Sequence, residues 1–299
     1  MALEPPPRLV RALAESAPDG DDWLEKLPEA ARQAVELSGS TAERVQVPGG
    51  RSSLVVLVRR ADGSPAVLKL APGRARPESE RAALTTWDGR GAVRLLDPAP
   101  GEGALLLERL HPDVSVRSLP EARALLEAAD TLRRLWVEPP PGCAFETVEG
   151  RTGRQAAAMT ASAAADPSLA PLVDAALAAR AELLAAPPEH RLLHGTFRQS
   201  KVLAGDRMPW LAVGPDPVVG EHAFDLARLV RDRVEDLIAV SSGASTTRRR
   251  VKRLAESLDV DQERLRGWTL FRAVESGVRA LRVGRPQDAE LLLEFAGWL

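Results

Sequence analysis

The sequence predicts an α+β protein: a small, mostly antiparallel β lobe with one helix, then a large helical lobe with embedded β-hairpins. Three observations predict it. Apolar runs of strand length and strand period crowd the first 110 of 299 residues. Long Ala/Leu/Arg-rich segments fill most of the remainder. Between those segments lies one β-like island, "RLLHG", "KVLAG" and "PWLAVG", within 191–214. The length is enough to bury a sizeable core, as one large domain or two lobes.

Residues 1–20 read as a Pro-led lead-in with a short helix from Arg8 to Glu15. The lobe that follows spans 21–110. It opens with a helix over "WLEKLPEAARQAVELSG" (23–39), which Gly39 stops. "LVVLVRR" (54–60) and "PAVLKLA" (65–71) flank "ADGS", whose Asp-Gly suits a tight hairpin turn. A helix from Pro77 to Trp87 and two apolar strands, "AVRLL" (92–96) and "ALLLERL" (104–110), complete it. Across 111–299 the spacing predicts helices over 120–136, 153–185, 222–241, 246–258, 261–282 and 286–299. The clearest irregular connection is "VEPPPGCAFETVEG" (137–150).

Composition narrows the function. With 40 basic and 42 acidic residues the net charge is −2, so no global field favours nucleic acid. "TTRRRVKRLAESL" is basic, with Ser245 or Thr246 as N-cap, but no aromatics interleave and a solvated helix face explains it. Cys143 is the only cysteine, which excludes an intramolecular disulfide and a thiolate metal cluster. His111, His190, His194 and His222 lack ligand spacing, so no structural metal is expected. The first residues lack a secretory pattern and no run nears the roughly 18 apolar residues of a membrane span. The expectation is a cytoplasmic protein with no nucleic-acid or membrane partner.

Some residues could carry chemistry. Strand alternation sets Lys69 opposite Leu68 and Leu70, and a lysine in so apolar a strand needs an acid or an anionic ligand. The next helix offers Glu78 and Glu80, and Glu80 shares a face with Leu84 and Trp87. Gly49 and Gly50 precede the first strand of the hairpin, where backbone could close over phosphates; a plain turn explains them as well. The order of parts is glycine turn, strand lysine, helix glutamate, apolar strand, helical lobe, then the His-Gly loop "LLHGTFRQSKVLAG" (192–205). That is the order of a protein-kinase-type phosphoryl-transfer site.

The text "ADGSPAVLKL", "WDGRGAVRLLD", "ALLLERLHPDVSVRSL", "LLHGTFRQSKVLAGDRMPWLAVGPDPVVGEHAFDLARLVRDR" and "ERLRGWTLFRAVESG" resembles the aminoglycoside phosphotransferase family. The likeness is to its streptomycin 6-kinase and hydroxyurea phosphotransferase branch, and it runs from about residue 45 to 280. It implies a protein-kinase-like two-lobe fold with ATP held between lobes. Lys69 matches the lysine that grips the α- and β-phosphates, and Glu80 the glutamate that orients it. Glu108 to Leu110 match the hinge beside adenine. Asp225 matches an aspartate that braces the catalytic loop, and His194 opens that loop. The C-terminal helices line the acceptor pocket in the family, which makes Trp268 and Glu275 candidates. Arg272, Glu275 and Arg279 otherwise read as paired surface ions.

The same comparison leaves the catalytic positions changed. Thr196 stands where the family's base Asp would be, Lys201 five residues on where an Asn would bind metal, and Gly214 where a metal-binding Asp would be. A threonine hydroxyl does not accept a proton at neutral pH, an ammonium cannot ligate Mg²⁺, and glycine has no side chain. The loop is expected to be degenerate, with Asp216 and His194 as the only nearby substitutes. These changes shift formal charge by about +3, so Lys201 could itself neutralise a phosphate. The expectation is a pseudokinase that binds a small molecule, a nucleotide (ATP or another, without Mg²⁺) or a protein partner. The alternatives are an active kinase for an aminoglycoside-like acceptor with a rearranged site, and sequestration of a natural product.

Overall fold

A computed structural model describes residues 3–16, 22–97 and 100–299. The chain begins with α1 (Pro7–Ser16), α2 (Trp23–Leu37), β1 (Ser40–Val45), β2 (Leu54–Arg60) and β3 (Pro65–Leu70). Next come α3 (Pro77–Trp87), β4 (Leu95–Asp97), β5 (Ala104–Glu108) and β6 (His111–Ser115). The middle holds α4 (Glu121–Arg133), α5 (Val148–Ala165), α6 (Ala170–Ala185), β7 (Arg191–Leu193), β8 (Val202–Ala204), β9 (Trp210–Ala212) and β10 (Val218–Gly220). It ends with α7 (His222–Val230), α8 (Val234–Ile238), α9 (Gly243–Leu258), α10 (Gln262–Arg282) and α11 (Pro286–Ala296). The predicted helix at 8–15 is α1; of the expected lead-in, residues 1–2 and 17–20 lie outside the described residues. Packing divides the chain into two units, Met1–Val114 with Leu203–Asp216, and Ser115–Val202 with Pro217–Leu299.

In the first unit an antiparallel sheet runs β1-β2-β3-β5-β4. The β2–β3 hairpin pairs Leu54 with Leu70, and its turn closes as the Asp-Gly pair requires: Gly63 takes φ +81° and Asp62 Oδ1 accepts the Ser64 N–H at 2.9 Å. Period two then sorts the strands. Leu54, Val56, Leu68 and Leu70 point into a core with Leu9 and Leu13 of α1 and Leu27 and Ala31 of α2. Lys69 faces the other way, between Val55 and Leu105 in the register. The expected strand at 92–96 is corrected to Leu95–Asp97, because the backbone just before it is bonded elsewhere. Val93 N–H donates to the Ala212 carbonyl (2.9 Å) and Ala212 N–H to the Gly91 carbonyl (2.8 Å). The β8–β9 hairpin, which reads in sequence as an island within the helical lobe, thus packs with the first unit and joins β6 in a three-stranded sheet.

In the second unit α10 is the central element, packed by α5, α6, α7, α9 and α11. Its Trp268, Phe271 and Val274 are fully buried. The helix expected over 153–185 is two, since Pro167 cannot continue the hydrogen-bond ladder and Asp166 caps the turn by accepting the Ser168 N–H. The helix expected over 222–241 also breaks, at Arg233, whose φ is +58°. The predicted N-cap at Ser245 or Thr246 moves to Ser242. A Cβ on Gly243 would lie 2.1 Å from the Leu237 carbonyl, so only glycine lets α9 start against α8. β7 pairs with β10, Leu193 opposite Val218, which fixes the entry to the 192–205 loop beside the start of α7. No helix among the described residues is long and apolar enough to cross a membrane.

Candidate functional site

The chemistry-bearing residues fall into two groups, one in each unit. In the first unit Lys69 Nζ donates to Glu80 Oε2. Both side chains are withdrawn from solvent, with relative exposures of 13% and 4%. Glu80 is held inward because Leu84 and Trp87 of the same helix face are fully buried. Its second oxygen, Oε1, is buried without a hydrogen bond among the described residues. The pair presents one half-buried ammonium fixed on a rigid strand, which is what a phosphate oxyanion needs.

Other first-unit candidates are already engaged. Gly49 has φ +72° and a Cβ there would meet the Gln46 carbonyl at 2.9 Å and Pro6 at 3.2 Å, so this glycine turn is packed against its own chain. A Cβ on Gly50 would stand 3.2 Å from the Ser53 carbonyl. The Glu108 carboxylate accepts the Arg94 N–H at 2.9 Å and the Arg207 guanidinium at 2.7 Å. Leu110 is buried, beside Gly205. Gly214 has φ +61°, a left-handed backbone that disfavours most side chains. Asp216 does not stand ready as a metal ligand: Arg76, itself at φ +52°, donates to its Oδ1 at 2.5 Å.

In the second unit Asp225, in the first turn of α7, is fully buried and accepts the His194 N–H at 2.7 Å and the Gly195 N–H at 2.8 Å. Burial pushes its carboxyl up, and Arg272 and the two N–H donors work against that rise. Arg272 donates to the carbonyls of Gly195 and Phe224, each at 2.7 Å, and lies 4.1 Å above the Phe224 ring. Its expected place among surface ions is therefore corrected; it is a buried clamp on the loop. His194 is fully buried, and its Nδ1 accepts the Thr196 N–H at 3.3 Å. Lys201 Nζ donates to Thr196 Oγ1 at 2.6 Å, which joins two of the loop's candidate positions.

The acceptor-pocket candidates resolve differently. Trp268 is core: it is fully buried, edge-on to Phe224 and Phe271, and its Nε1–H donates to Glu221 at 2.6 Å. Glu275 is paired with Arg279 at 3.0 Å and accepts the Ser276 hydroxyl at 3.0 Å. Burial acts to raise its carboxyl, but Arg279 and Ser276 outweigh it and hold it below the ordinary value. Sequence reasoning missed Arg228, Arg231 and Asp232. The signal was sequence spacing alone: Arg228 follows Asp225 by three residues on α7, and Arg231 and Asp232 follow Arg228 by three and four in the turn after that helix.

A magnesium ion, which the family resemblance implies, needs carboxylate or amide oxygens. The loop offers a hydroxyl already bonded to an ammonium, and position 214 offers no side chain. The donor set does not fit Mg²⁺, and among the described residues no three His, Cys, Asp or Glu side chains come together as a metal site.

Residues 38–284 match the family described as aminoglycoside/hydroxyurea antibiotic resistance kinase. The chain is 34% identical to a streptomycin 6-kinase of Streptomyces glaucescens, covering 90% of this chain and 87% of that one. It is 36% identical to a hydroxyurea phosphotransferase of Kitasatospora aureofaciens, covering 99% and 87%. The fold is shared with aminoglycoside phosphotransferase APH(4)-Ia, solved with ADP and hygromycin B, at TM-score 0.62, 16% identity and coverage of 88% and 95%. It is shared too with an ethanolamine kinase of Plasmodium vivax, at TM-score 0.58, 11% identity and coverage of 85% and 82%. The fold of this chain is thus α+β and kinase-like, with the five-stranded antiparallel sheet in the first unit and most of the helices in the second. The extent of the match and the identity along it make this chain a member of the aminoglycoside/hydroxyurea antibiotic resistance kinase family.

Proposed function

We propose that the chain is a pseudokinase, which uses the family fold to bind a ligand or a partner rather than to transfer a phosphoryl group. One observation carries this reading: the Lys201–Thr196 hydrogen bond at 2.6 Å. It places an ammonium donor on the residue at the base position, where a proton acceptor is needed. Two further facts support it. His194 spends its Nδ1 lone pair on the Thr196 N–H, and Asp216 is engaged by Arg76, so neither substitute is set up for catalysis. The retained Lys69–Glu80 pair of the first unit supports nucleotide binding by a phosphate contact; Lys201, taken by itself in the second unit, offers a cation at a position where the resemblance expects a metal ligand.

A second reading has its own support, in that the relatives at 34% and 36% identity are named kinases. It is an active small-molecule kinase with a rearranged site. The deciding experiment measures ATP turnover by the parent and by the Thr196→Asp, Lys201→Asn, Gly214→Asp triple variant, with streptomycin as acceptor. The proposal expects none from the parent and measurable turnover from the variant. Magnesium-dependent phosphorylation of streptomycin by the parent would establish the second reading instead. Nucleotide titrations with and without EDTA complete the test: the charge-substitution idea requires an affinity that survives chelation.

A further inference from the structure

Asp225 holds the near half of the 192–205 loop, and a second hold acts on its far half. Gln199 is buried in the short turn that ends at Lys201, whose N–H donates to the Arg198 carbonyl at 2.9 Å. The Gln199 backbone N–H donates to Asp232 Oδ2 at 2.6 Å, and its side-chain Oε1 accepts the Arg233 Nε–H at 3.0 Å. The same guanidinium donates to the carbonyls of Arg117 at 2.7 Å and Leu119 at 2.9 Å. One side chain thus ties the loop to the segment that leads into α4. The turn that carries Arg233 is itself fixed, because Arg250 of α9 donates to the carbonyls of Val230 and Asp232, each at 2.7 Å. Burial pushes the Asp232 carboxyl up, and the Gln199 N–H, Arg228, Arg198 and Arg231 work against that rise, in favour of the charged acceptor.

Two features mark this hold as more than packing. Arg233 sits at φ +58°, where glycine is relaxed and an arginine is strained, and such strain persists only where the surroundings over-determine the residue. Gln199 leaves its Nε2 buried without a partner among the described residues. An unbonded buried donor costs stability, so an apolar side chain of the same size would suit position 199 better if filling space were its whole task. What the glutamine adds is the acceptor for Arg233. We propose that Arg233 and Gln199 are positioning residues that fix the far half of the loop and thereby hold the Lys201 ammonium on Thr196. A guanidinium suits the task, since its rigid fork meets three acceptors at once and a single ammonium on a flexible stem does not. The inference rests on the reading of Thr196 and Lys201 as site positions, and it stands whether or not phosphoryl transfer has been lost.

The test needs no nucleotide, so its outcome is independent of ATP turnover. The full chain is acetylated with limiting reagent, and the rate at Lys201 is read by mass spectrometry against the exposed Lys26 and Lys252. Amide hydrogen exchange at His194 and Gly195, whose N–H groups Asp225 holds in the same unit, reports any general loosening. Arg233→Gly suits the left-handed backbone and removes the guanidinium, and Gln199→Leu keeps the volume and removes the acceptor. Each should raise the Lys201 rate about tenfold, the weight of one charge-assisted hydrogen bond, while His194 and Gly195 exchange as in the parent. Arg233→Lys should show a smaller rise in the same direction, and it is read by the same criteria if either other chain fails to fold. An unchanged Lys201 rate overturns the proposal. So does a rise accompanied by faster exchange at His194 and Gly195, which would make Arg233 and Gln199 structural residues only.

Discussion

Asp225 and Lys201 show how single residues set the loop at 192–205. Asp225 holds the loop by two backbone N–H groups and is countered by Arg272, so its removal strands two buried donors and a buried cation. Asp225→Ala should cost about 3 kcal/mol in a urea melt, the range for one lost partner of a buried charge network. Lys201 and Thr196 satisfy each other, so changing one alone does not recreate a base: Thr196→Asp would only give the ammonium a stronger partner. Some of this was legible. Lys69 and Glu80 followed from a two-residue strand period and a helical i+4 face, both local rules. Arg228 and Arg272 did not, because their roles depend on which helices cover which faces. Within the Arg272, Glu275 and Arg279 stripe, Arg279 is exposed and pairs with Glu275 as expected, whereas Arg272 is buried where α10 packs against α7.

At the scale of elements, His222 opens α7 and ties it to the segment before β7. Its ring stacks on Trp136 at 4.1 Å, its backbone N–H donates to Glu189 at 2.9 Å, and its ring Nδ1 lies 3.4 Å from the same carboxylate. Burial pushes its pKa below 6.5, with Arg191 adding to the fall and Glu189 and Glu221 opposing it. A histidine lowered in the folded state is bound by more protons when unfolded, so stability is present in full above the unfolded value of about 6.5 and drains away as pH falls below it. The parent should therefore lose melting temperature between about pH 7 and 5 more steeply than His222→Gln. Equal slopes would assign the acid loss to other groups. Helix existence was legible from apolar spacing, and α3 was read to its end residues. Boundaries failed where non-local contacts decide, as at Gly243 against the Leu237 carbonyl and at 91–93, whose bonds go to Ala212.

At the scale of the molecule, the first unit is not a contiguous stretch of chain. Leu203–Asp216 belongs to it, through the β6-β8-β9 sheet, the bonds from Ala212 to Gly91 and Val93, and Arg207 on Glu108. A fragment of residues 1–114 lacks those partners and should show little cooperative unfolding by circular dichroism, with 203–216 supplied through a short linker restoring it. A fully cooperative 1–114 fragment would show that the hairpin is dispensable. The two-lobe plan was visible in composition alone, as strands gave way to Ala/Leu-rich helices after residue 111. The return of 203–216 was not, since a short apolar run carries no mark of which sheet it will join. That return sets a clock on biosynthesis. A ribosome adds about 5–20 residues per second, so β6 waits several seconds beside the exit tunnel before its partners β8 and β9 emerge. During that interval the unpaired edge of β6 is open to any chaperone, or to the same edge on a neighbouring nascent chain.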